Sequence, residues 1–349
     1  MDFDLTPEQT MLAETVRQIA GEHFGPGVAR GFADGSRAVA AKGWSTLVDS
    51  GLTTLLFPVE AGGAGAGLLD ACLVLSELSA ALAPVPYLSS AIAAGLLVRA
   101  LPGEPAEQIA REVPQGHTFG LVLGQDLRLP AQTAGRRCVG WSEGRPGLAV
   151  DDRGLSLIDA IGPGTSVDLL DCVGIVAQGA APTAIRFWGS DDGRRVLAGI
   201  RTAVAAGLAG VVDGCATLAW AYIRERRQYG QTIGSFQAVR HMAADLLVDV
   251  ESCRSIMYGA AWSVDNAEVD SAERLSLIAK GWCGDAAVRS AETAMQLLGG
   301  IGVTWESSAH LYLRRARAWS ALLGDVSDMV GQLGRQFIAA RGAGGSGSS

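Results

Sequence analysis

Arg224-Glu-Arg-Arg-Gln-Tyr-Gly-Gln-Thr-Ile-Gly-Ser-Phe-Gln-Ala-Val-Arg-His-Met-Ala-Ala-Asp245 and Gln296-Leu-Leu-Gly-Gly-Ile-Gly-Val-Thr-Trp-Glu306 are the two stretches on which the reading of this chain turns. Each interrupts a long helical pattern. Before the first lies the apolar run Val196–Ile223, which contains Arg201, Asp213 and glycines at 199, 207, 210 and 214. That mixture reads as a buried bundle helix rather than a membrane span. After it, Met242, Leu246, Asp249/Val250, Cys253 and Met257 keep the three-to-four spacing that puts a stripe on one helix face. From about 192 to 341 the pattern predicts four long helices in an antiparallel bundle.

Working outward, residues 1–113 read as all-helical. Thr6, Pro7 and Gln9 form a Thr-x-x-Gln capping box with proline at the first helical position, and Leu12, Val16 and Ile19 follow at helical spacing. Further helices are predicted near Gly43–Ser50, over Leu68–Ala81 and over Ser89–Leu101, with a glycine-rich turn at Glu60–Gly67. Between about 114 and 190 the texture changes. Short apolar runs (Phe119–Leu123, Cys138–Trp141, Leu148–Val150, Leu155–Ile158, Cys172–Val176, Ile185–Phe187) alternate with turn chemistry at Glu143-Gly144, Asp152-Arg-Gly154 and Gly162-Pro-Gly164. A small antiparallel barrel or sandwich is expected there. The fold class is therefore α+β, mainly α: a helical domain (1–113), a reduced β domain (114–190), a four-helix bundle (191–341) and a flexible Gly/Ser tail (342–349).

Composition narrows the function classes. The chain has 349 residues, with 48% hydrophobic and 18% charged, and a net charge of −8. Apolar surface is ample to offset ordering entropy, and the acidic balance argues against nucleic acid as partner. Glycine, 46 residues, is about twice ordinary usage, which suits close-packed helices. The six cysteines (72, 138, 172, 215, 253, 283) are scattered, without metal-ligand or disulfide spacing, so no metal site is read and a reduced, cytoplasmic setting is expected. The acidic opening MDFDLTPEQT is unlike a basic export signal.

The two quoted stretches resemble the R-x-Q-F-G and Q-x-x-G-G-x-G segments of the acyl-CoA dehydrogenase family. MDFDLTPEQTML and LLFPVEAGGAG resemble that family's opening helix and its P-x-x-x-G-G-x-G turn. The resemblance covers the first ~100 residues and about 195–330, and its fold matches the three-part sketch above. It implies FAD and α,β-dehydrogenation of an acyl-CoA thioester, with electron-transfer flavoprotein as acceptor. It also implies that Arg226, Gln228, Tyr229, Ile233, Gln237, Gln296, Leu297, Gly299 and Gly300 line the ADP half of a flavin held mainly by the neighbouring subunit. The chemistry of these residues agrees. Arg226 offers planar donors suited to a pyrophosphate, Gln296 an amide for a hydroxyl, and the glycine pair lets backbone approach closely. The plainer alternative makes Arg226 a surface ion pair with Glu225 or Asp245 and the glycines a simple helix joint.

The departures from the family pattern carry a sharper implication. The reaction needs a carboxylate to take the α-proton, and the resemblance places that Glu at one of two positions. Here they hold Ile200, before Arg201, and Leu323, in Leu322-Leu-Gly-Asp325. No counterpart of the flavin-holding L-T-E-P-x-A-G-S-D segment is found where the chain runs from Thr118–Gln125 into Asp126-Leu-Arg-Leu-Pro130, and Trp141-Ser142 is the nearest match to a W-I-[TS]-N strand. The implied reading is a non-catalytic subunit of an α2β2 acyl-CoA dehydrogenase, paired with a paralogous catalytic subunit and acting on an acyl-CoA substrate such as a steroid side-chain CoA ester, with no membrane partner.

Two alternatives stand beside it. One is a self-sufficient homo-oligomer whose base is displaced to Asp325, Asp191 or Asp192. The other is a non-redox scaffold that binds a CoA ester or a protein partner. Glu306 and His310, four residues apart on an expected helix, read as a solvated or packing pair. Arg314, Arg315 and Arg317 could meet a phosphate or form salt bridges, and Arg201 could line a pocket or pair between helices.

Overall fold

A computed structural model describes residues 4–101, 103–124, 136–150, 154–181, 184–187 and 190–344. The chain opens with α1 (Pro7–His23). Its N-terminal box is complete: Gln9 N donates to Thr6 Oγ1 at 3.2 Å and Thr6 N to Gln9 Oε1 at 3.1 Å. A short α2 (Pro26–Ala33), started by a proline at N1, was not legible in the pattern. Then come α3 (Ala41–Asp49), α4 (Leu68–Ala80), a π-helical stretch over Leu88–Ala93 that continues as α5 (Ala94–Ala100), and α6 (Glu104–Glu112).

Among the described residues seven short strands follow: β1 (Gly120–Leu123), β2 (Arg137–Val139), β3 (Gly147–Val150), β4 (Gly154–Ile158), β5 (Ile161–Pro163), β6 (Val173–Val176) and β7 (Ala184–Phe187). They form one curled sheet in the order β5-β6-β2-β1-β3-β4-β7. All its pairs are antiparallel except β1–β3, which is parallel, with Leu121 opposite Leu148. Gly162-Pro-Gly164, expected as a turn, instead supplies the edge strand β5, where Pro163 faces Gly174. An edge is where a proline is tolerated in a sheet, because its missing N–H leaves no inward ladder bond unmade. The run Cys138–Trp141 stops being strand at Val139, since Gly140 turns the chain with φ +72°. The Asp126–Pro130 segment, singled out for lacking the flavin-holding pattern, lies outside the described residues.

The C-terminal part holds α7 (Ser190–Glu225), α8 (Gln237–Asn266), α9 (Val269–Leu298), α10 (Ala309–Ala321) and α11 (Val326–Gly344). Four long helices were expected. Among the described residues α7, α8 and α9 supply three of them, and α11 follows the shorter α10 after the break at Leu322–Asp325 as the fourth. By length and hydropathy α7 could cross a membrane, but 83% of its most apolar window is buried inside the protein. It packs on α4 at backbone contact: a Cβ on Gly210 would lie 2.1 Å from Ser76 O. Only glycine permits that approach. One continuous core runs from α1 through the bundle, and a small second cluster (Val122, Cys138, Ala149, Ile158, Val176) lies within the sheet. Five of the six cysteines are buried thiols, and Cys172 is half-buried.

The three parts are tied by buried charge. Arg315 on α10 donates Nε to Asp168 Oδ2 at 2.9 Å, Nη1 to Ala83 O at 3.2 Å and Nη2 to Leu170 O at 3.4 Å. Asp265 on α8 accepts from Leu68 N at 2.6 Å, satisfying a donor at the start of α4.

Candidate functional site

Side-chain register sets helix direction in the bundle. Trp220 Nε1 on α7 donates to Ala243 O on α8 at 3.1 Å, while Arg195, near the other end of α7, reaches Ala267 O just beyond α8 at 3.0 Å. On the next pair, Trp282 of α9 bonds Ser252 of α8 at 3.0 Å and Arg289 bonds Asp249 at 2.6 Å. Helices α7 and α9 thus run one way and α8 the other. The α7–α8 and α9–α10 connections therefore emerge at the same end of the bundle, and these connections are the two motifs.

The α7–α8 connection is a hairpin of β8 (Arg227–Gln228) and β9 (Gln231–Thr232). Its central residues, Tyr229 at φ +51° and Gly230 at φ +80°, both adopt the left-handed conformation that a two-residue primed turn demands. Glycine does so freely; a tyrosine does so under strain. The strained Tyr229 ring is 93% exposed. Its one described ring contact is edge-on with Phe236, at 6.2 Å between centroids. Arg226, Gln228 and Gln237 are likewise exposed, and Ile233 is half-buried.

Beside the hairpin lies an open groove of about 630 Å³ whose walls include Trp220, Arg224, Arg240 and Leu247. Arg224 and Arg240 stand in the quoted stretch, but spacing did not distinguish them. The fold brings these two guanidiniums, donors of a kind suited to phosphate, to one groove wall. At the α9 terminus, Gln296, Gly299 and Gly300 are exposed and Leu297 is buried. Gly299 stops the helix at φ +61°. Ile301, Val303 (70% exposed) and Trp305 extend an apolar patch on the same end. Patches of this kind mark contact surfaces.

Ile200 is fully buried in the core. Leu323 is 9% exposed and sits at φ +64° in the turn between α10 and α11. Arg201, next to Ile200, lines with Leu323 a cavity of about 210 Å³. Behind that turn Lys280 of α9, 1% exposed, donates Nζ to Ser320 O at 2.8 Å and to Gly324 O at 3.1 Å. Burial pulls its pKa down to about 8. Sequence reasoning passed over Lys280; a lone lysine within Leu277-Ile-Ala-Lys-Gly-Trp-Cys283 was the available signal.

The remaining candidates have ordinary partners. Arg315 is the buried inter-domain tie rather than a phosphate ligand, Arg317 pairs with Glu292, and Arg314 reaches Val167 O at 3.5 Å. Asp325 and Asp328 cap each other's backbone N–H at 3.1 and 3.0 Å, and Asp191 lies 3.6 Å from Arg194. Glu306 precedes α10 instead of sharing a helix with His310, which packs edge-on against Trp305. Trp141 and Ser142 lie in a loop beyond β2, not on a strand, and Ser142 Oγ accepts from Thr118 Oγ1 at 2.9 Å.

Comparison with known proteins places this architecture. Residues 6–104 match the profile "Acyl-CoA dehydrogenase, N-terminal domain" and 192–337 match "Acyl-CoA dehydrogenase, C-terminal domain". The chain belongs to the acyl-CoA dehydrogenase family. It is 30% identical over 333 residues to acyl-CoA dehydrogenase IpdE2 of Mycolicibacterium smegmatis, covering 94% of this chain and 98% of that one. It is also 30% identical to acyl-CoA dehydrogenase FadE27 of Mycobacterium tuberculosis, over 84% of this chain and 87% of that protein. Among solved structures, a chain of the ChsE4-ChsE5 complex from Mycobacterium tuberculosis superposes with TM-score 0.81 at 26% identity, covering 97% and 99% of the two chains. A chain of the Tcur3481-Tcur3483 steroid ACAD shares the fold, with TM-score 0.80 at 24% identity over 97% and 99%.

Proposed function

We propose that this chain is the non-catalytic subunit of a heteromeric, FAD-dependent acyl-CoA dehydrogenase. The observation that carries the reading is an asymmetry. The motif residues Arg226, Gln228, Tyr229, Gln237, Gln296, Gly299 and Gly300 are exposed at one bundle end beside a cationic groove, whereas Ile200 and Leu323 are packed as core. A surface equipped for a dinucleotide but turned outward is complete only when another subunit covers it. The chemistry of these residues fits FAD: guanidiniums such as that of Arg226 would hold its pyrophosphate, and the Gln296 amide and the bare backbone at Gly299 and Gly300 would suit its hydroxyls. When bound, the flavin supplies the acceptor for the hydride leaving the β-carbon of the thioester. The paralogous partner supplies the carboxylate base and the remainder of the flavin pocket, and electron-transfer flavoprotein takes the electrons. The two-protein ChsE4-ChsE5 complex and the steroid ACAD among the neighbours support a heteromer acting on a steroid side-chain CoA ester.

Co-expression with a family member that carries Glu at either position tests the reading. The expected product is a yellow assembly with one FAD per pair of unlike chains. Arg226→Met with Gln296→Ala in this chain should leave the assembly's mass unchanged while lowering flavin affinity by about a hundredfold, from two lost charge-assisted or amide contacts. A homo-oligomer of this chain with one FAD per chain and acyl-CoA turnover would overturn it. So would a stable but flavin-free partner complex.

A further inference from the structure

We propose that the connection over residues 299–308 is latched by the neutral ring of His310 and opens when that ring takes up a proton. The connection carries Gly299 and Gly300 at its start and Trp305, 52% exposed, near its end. Its own backbone holds it by short-range bonds. Thr304 N and Thr304 Oγ1 donate to Ile301 O at 3.1 and 2.8 Å, and Ser307 N donates to Thr304 O at 3.2 Å. From outside, Arg30 of α2 donates Nη1 to Glu306 O at 3.4 Å. His310, in the first turn of α10, closes the arrangement by packing edge-on against Trp305, with 4.6 Å between ring centroids.

The ring is held as an apolar group. Its Nδ1 and Nε2 are both closed off from water, and neither has a hydrogen-bond partner. A neutral imidazole brings one donor and one acceptor, whereas an imidazolium brings two N–H donors and a charge. Burial opposes that charge most. Arg314, four residues along the same face of α10, and Arg30, across on α2, add like charge. The backbone at Ser307 and Thr304 favours the proton, and the net effect leaves the pKa below its ordinary 6.5. The start of α10, the positive end of a helix, is itself a poor place for a cation. Of the other charges nearby, Arg315 is committed to Asp168, and Glu306 forms no ion pair among the described residues. Released into water, the ring titrates at the ordinary value. The open connection therefore binds the proton more tightly than the closed one. Opening grows easier as pH falls through 6.5, and raising the pH restores the latch. What opening uncovers rests on the flavin reading above, since Gly299 and Gly300 are the part of this connection assigned to the cofactor.

The test uses the full 349-residue chain in the assembly in which it purifies. Amide hydrogen exchange is followed at about pH 7.5 and about pH 5.5 and expressed as protection factors, which removes the intrinsic pH dependence of exchange. The Thr304 and Ser307 amides should lose protection about three- to tenfold at the lower pH, the span that one proton linked over one pH unit allows. The Ile233 amide, bonded to Arg226 O at 2.8 Å in the other connection, should keep its value. His310→Phe keeps an edge-on ring with nothing to protonate, so the Thr304 and Ser307 amides should then hold their protection at the lower pH. His310→Gln does not titrate either, and serves if the phenyl ring is not accommodated. An equal loss in the parent and either variant overturns the proposal. So does unchanged protection in the parent, an equal loss at Ile233, or a His310 ring that titrates at or above pH 6.5 by NMR. Flavin content is measured in the same samples. Loss of protection without loss of flavin upholds the latch and counts against the flavin reading, so the two failures are distinguishable.

Discussion

Removing the Arg315 guanidinium should loosen all three parts of the molecule at once. Its side chain and that of Asp168 are 4% and 1% exposed. At a charge separation near 4 Å and an effective dielectric constant of about 20, their attraction is about 4 kcal/mol. In Arg315→Met, among the described residues the Asp168 carboxylate keeps its bond from Leu170 N at 3.0 Å, and Ala83 O and Leu170 O lose a donor. Breaking a buried pair from one side costs about 3–5 kcal/mol, because the surviving charge stays desolvated. The double variant Arg315→Met/Asp168→Leu removes both charges and should cost less than the single one, about 1–3 kcal/mol, from the two carbonyls left without a donor. Urea unfolding followed by tryptophan fluorescence measures both, and hydrogen exchange at the Leu170 amide reports the local opening. If Arg315→Met lies within about 1 kcal/mol of the parent, or if the double variant is as unstable as the single, this residue is not the tie described.

Lys280 carries a pH dependence of definite sign. With its folded pKa near 8 against an ordinary 10.5, the folded chain loses this proton while the unfolded chain still holds it. Stability should therefore rise between pH 8 and 10.5, by up to about 3 kcal/mol, and that rise should vanish in Lys280→Met; equal pH profiles for the two proteins would discard the assignment. Gly210→Ala forces a methyl onto Ser76 O, backbone that cannot swing aside, and should cost at least about 1–3 kcal/mol in chemical denaturation. Thr6→Ala leaves the first turn of α1 without its box and should cost about 1 kcal/mol, seen as faster amide exchange at Gln9; an unchanged Gln9 rate would show that the cap is not limiting.

Much of the architecture was readable because its signals are local. The Thr6–Gln9 box, the Leu68–Ala80 helix and the stripe from Met242 to Met257 depend on residues within one or two turns of one another. What escaped the reading has equally specific causes. Gly162-Pro-Gly164 has turn chemistry, and only its place at a sheet edge makes it a strand. The parallel β1–β3 pair leaves no trace in two-residue alternation, which records faces and not strand direction. The break between α10 and α11 falls at Leu322-Leu-Gly-Asp325, where two leucines resemble continued helix until Leu323 turns to positive φ.

The candidate site divides along the same line. Arg226, Gln228, Tyr229 and Gln296 are recognisable as a set because they fall in two short ordered motifs, and the aliphatic character of Ile200 and Leu323 is plain from their identity. Spacing along the chain does not say which charges are out of water. Arg315 reads like its neighbours Arg314 and Arg317, yet it alone of the three is buried, because the Asp168–Leu170 segment from the β domain closes over it. Lys280 reads like a surface lysine until the turn between α10 and α11 closes over it, its Nζ reaching Ser320 O and Gly324 O. Local periodicity and turn chemistry follow from backbone stereochemistry over a few residues, so the amino-acid order alone sets the helices, most strands and the motif end. Desolvation is a property of many distant groups arriving together, so the burial of Arg315 and Lys280 came into existence only with long-range packing.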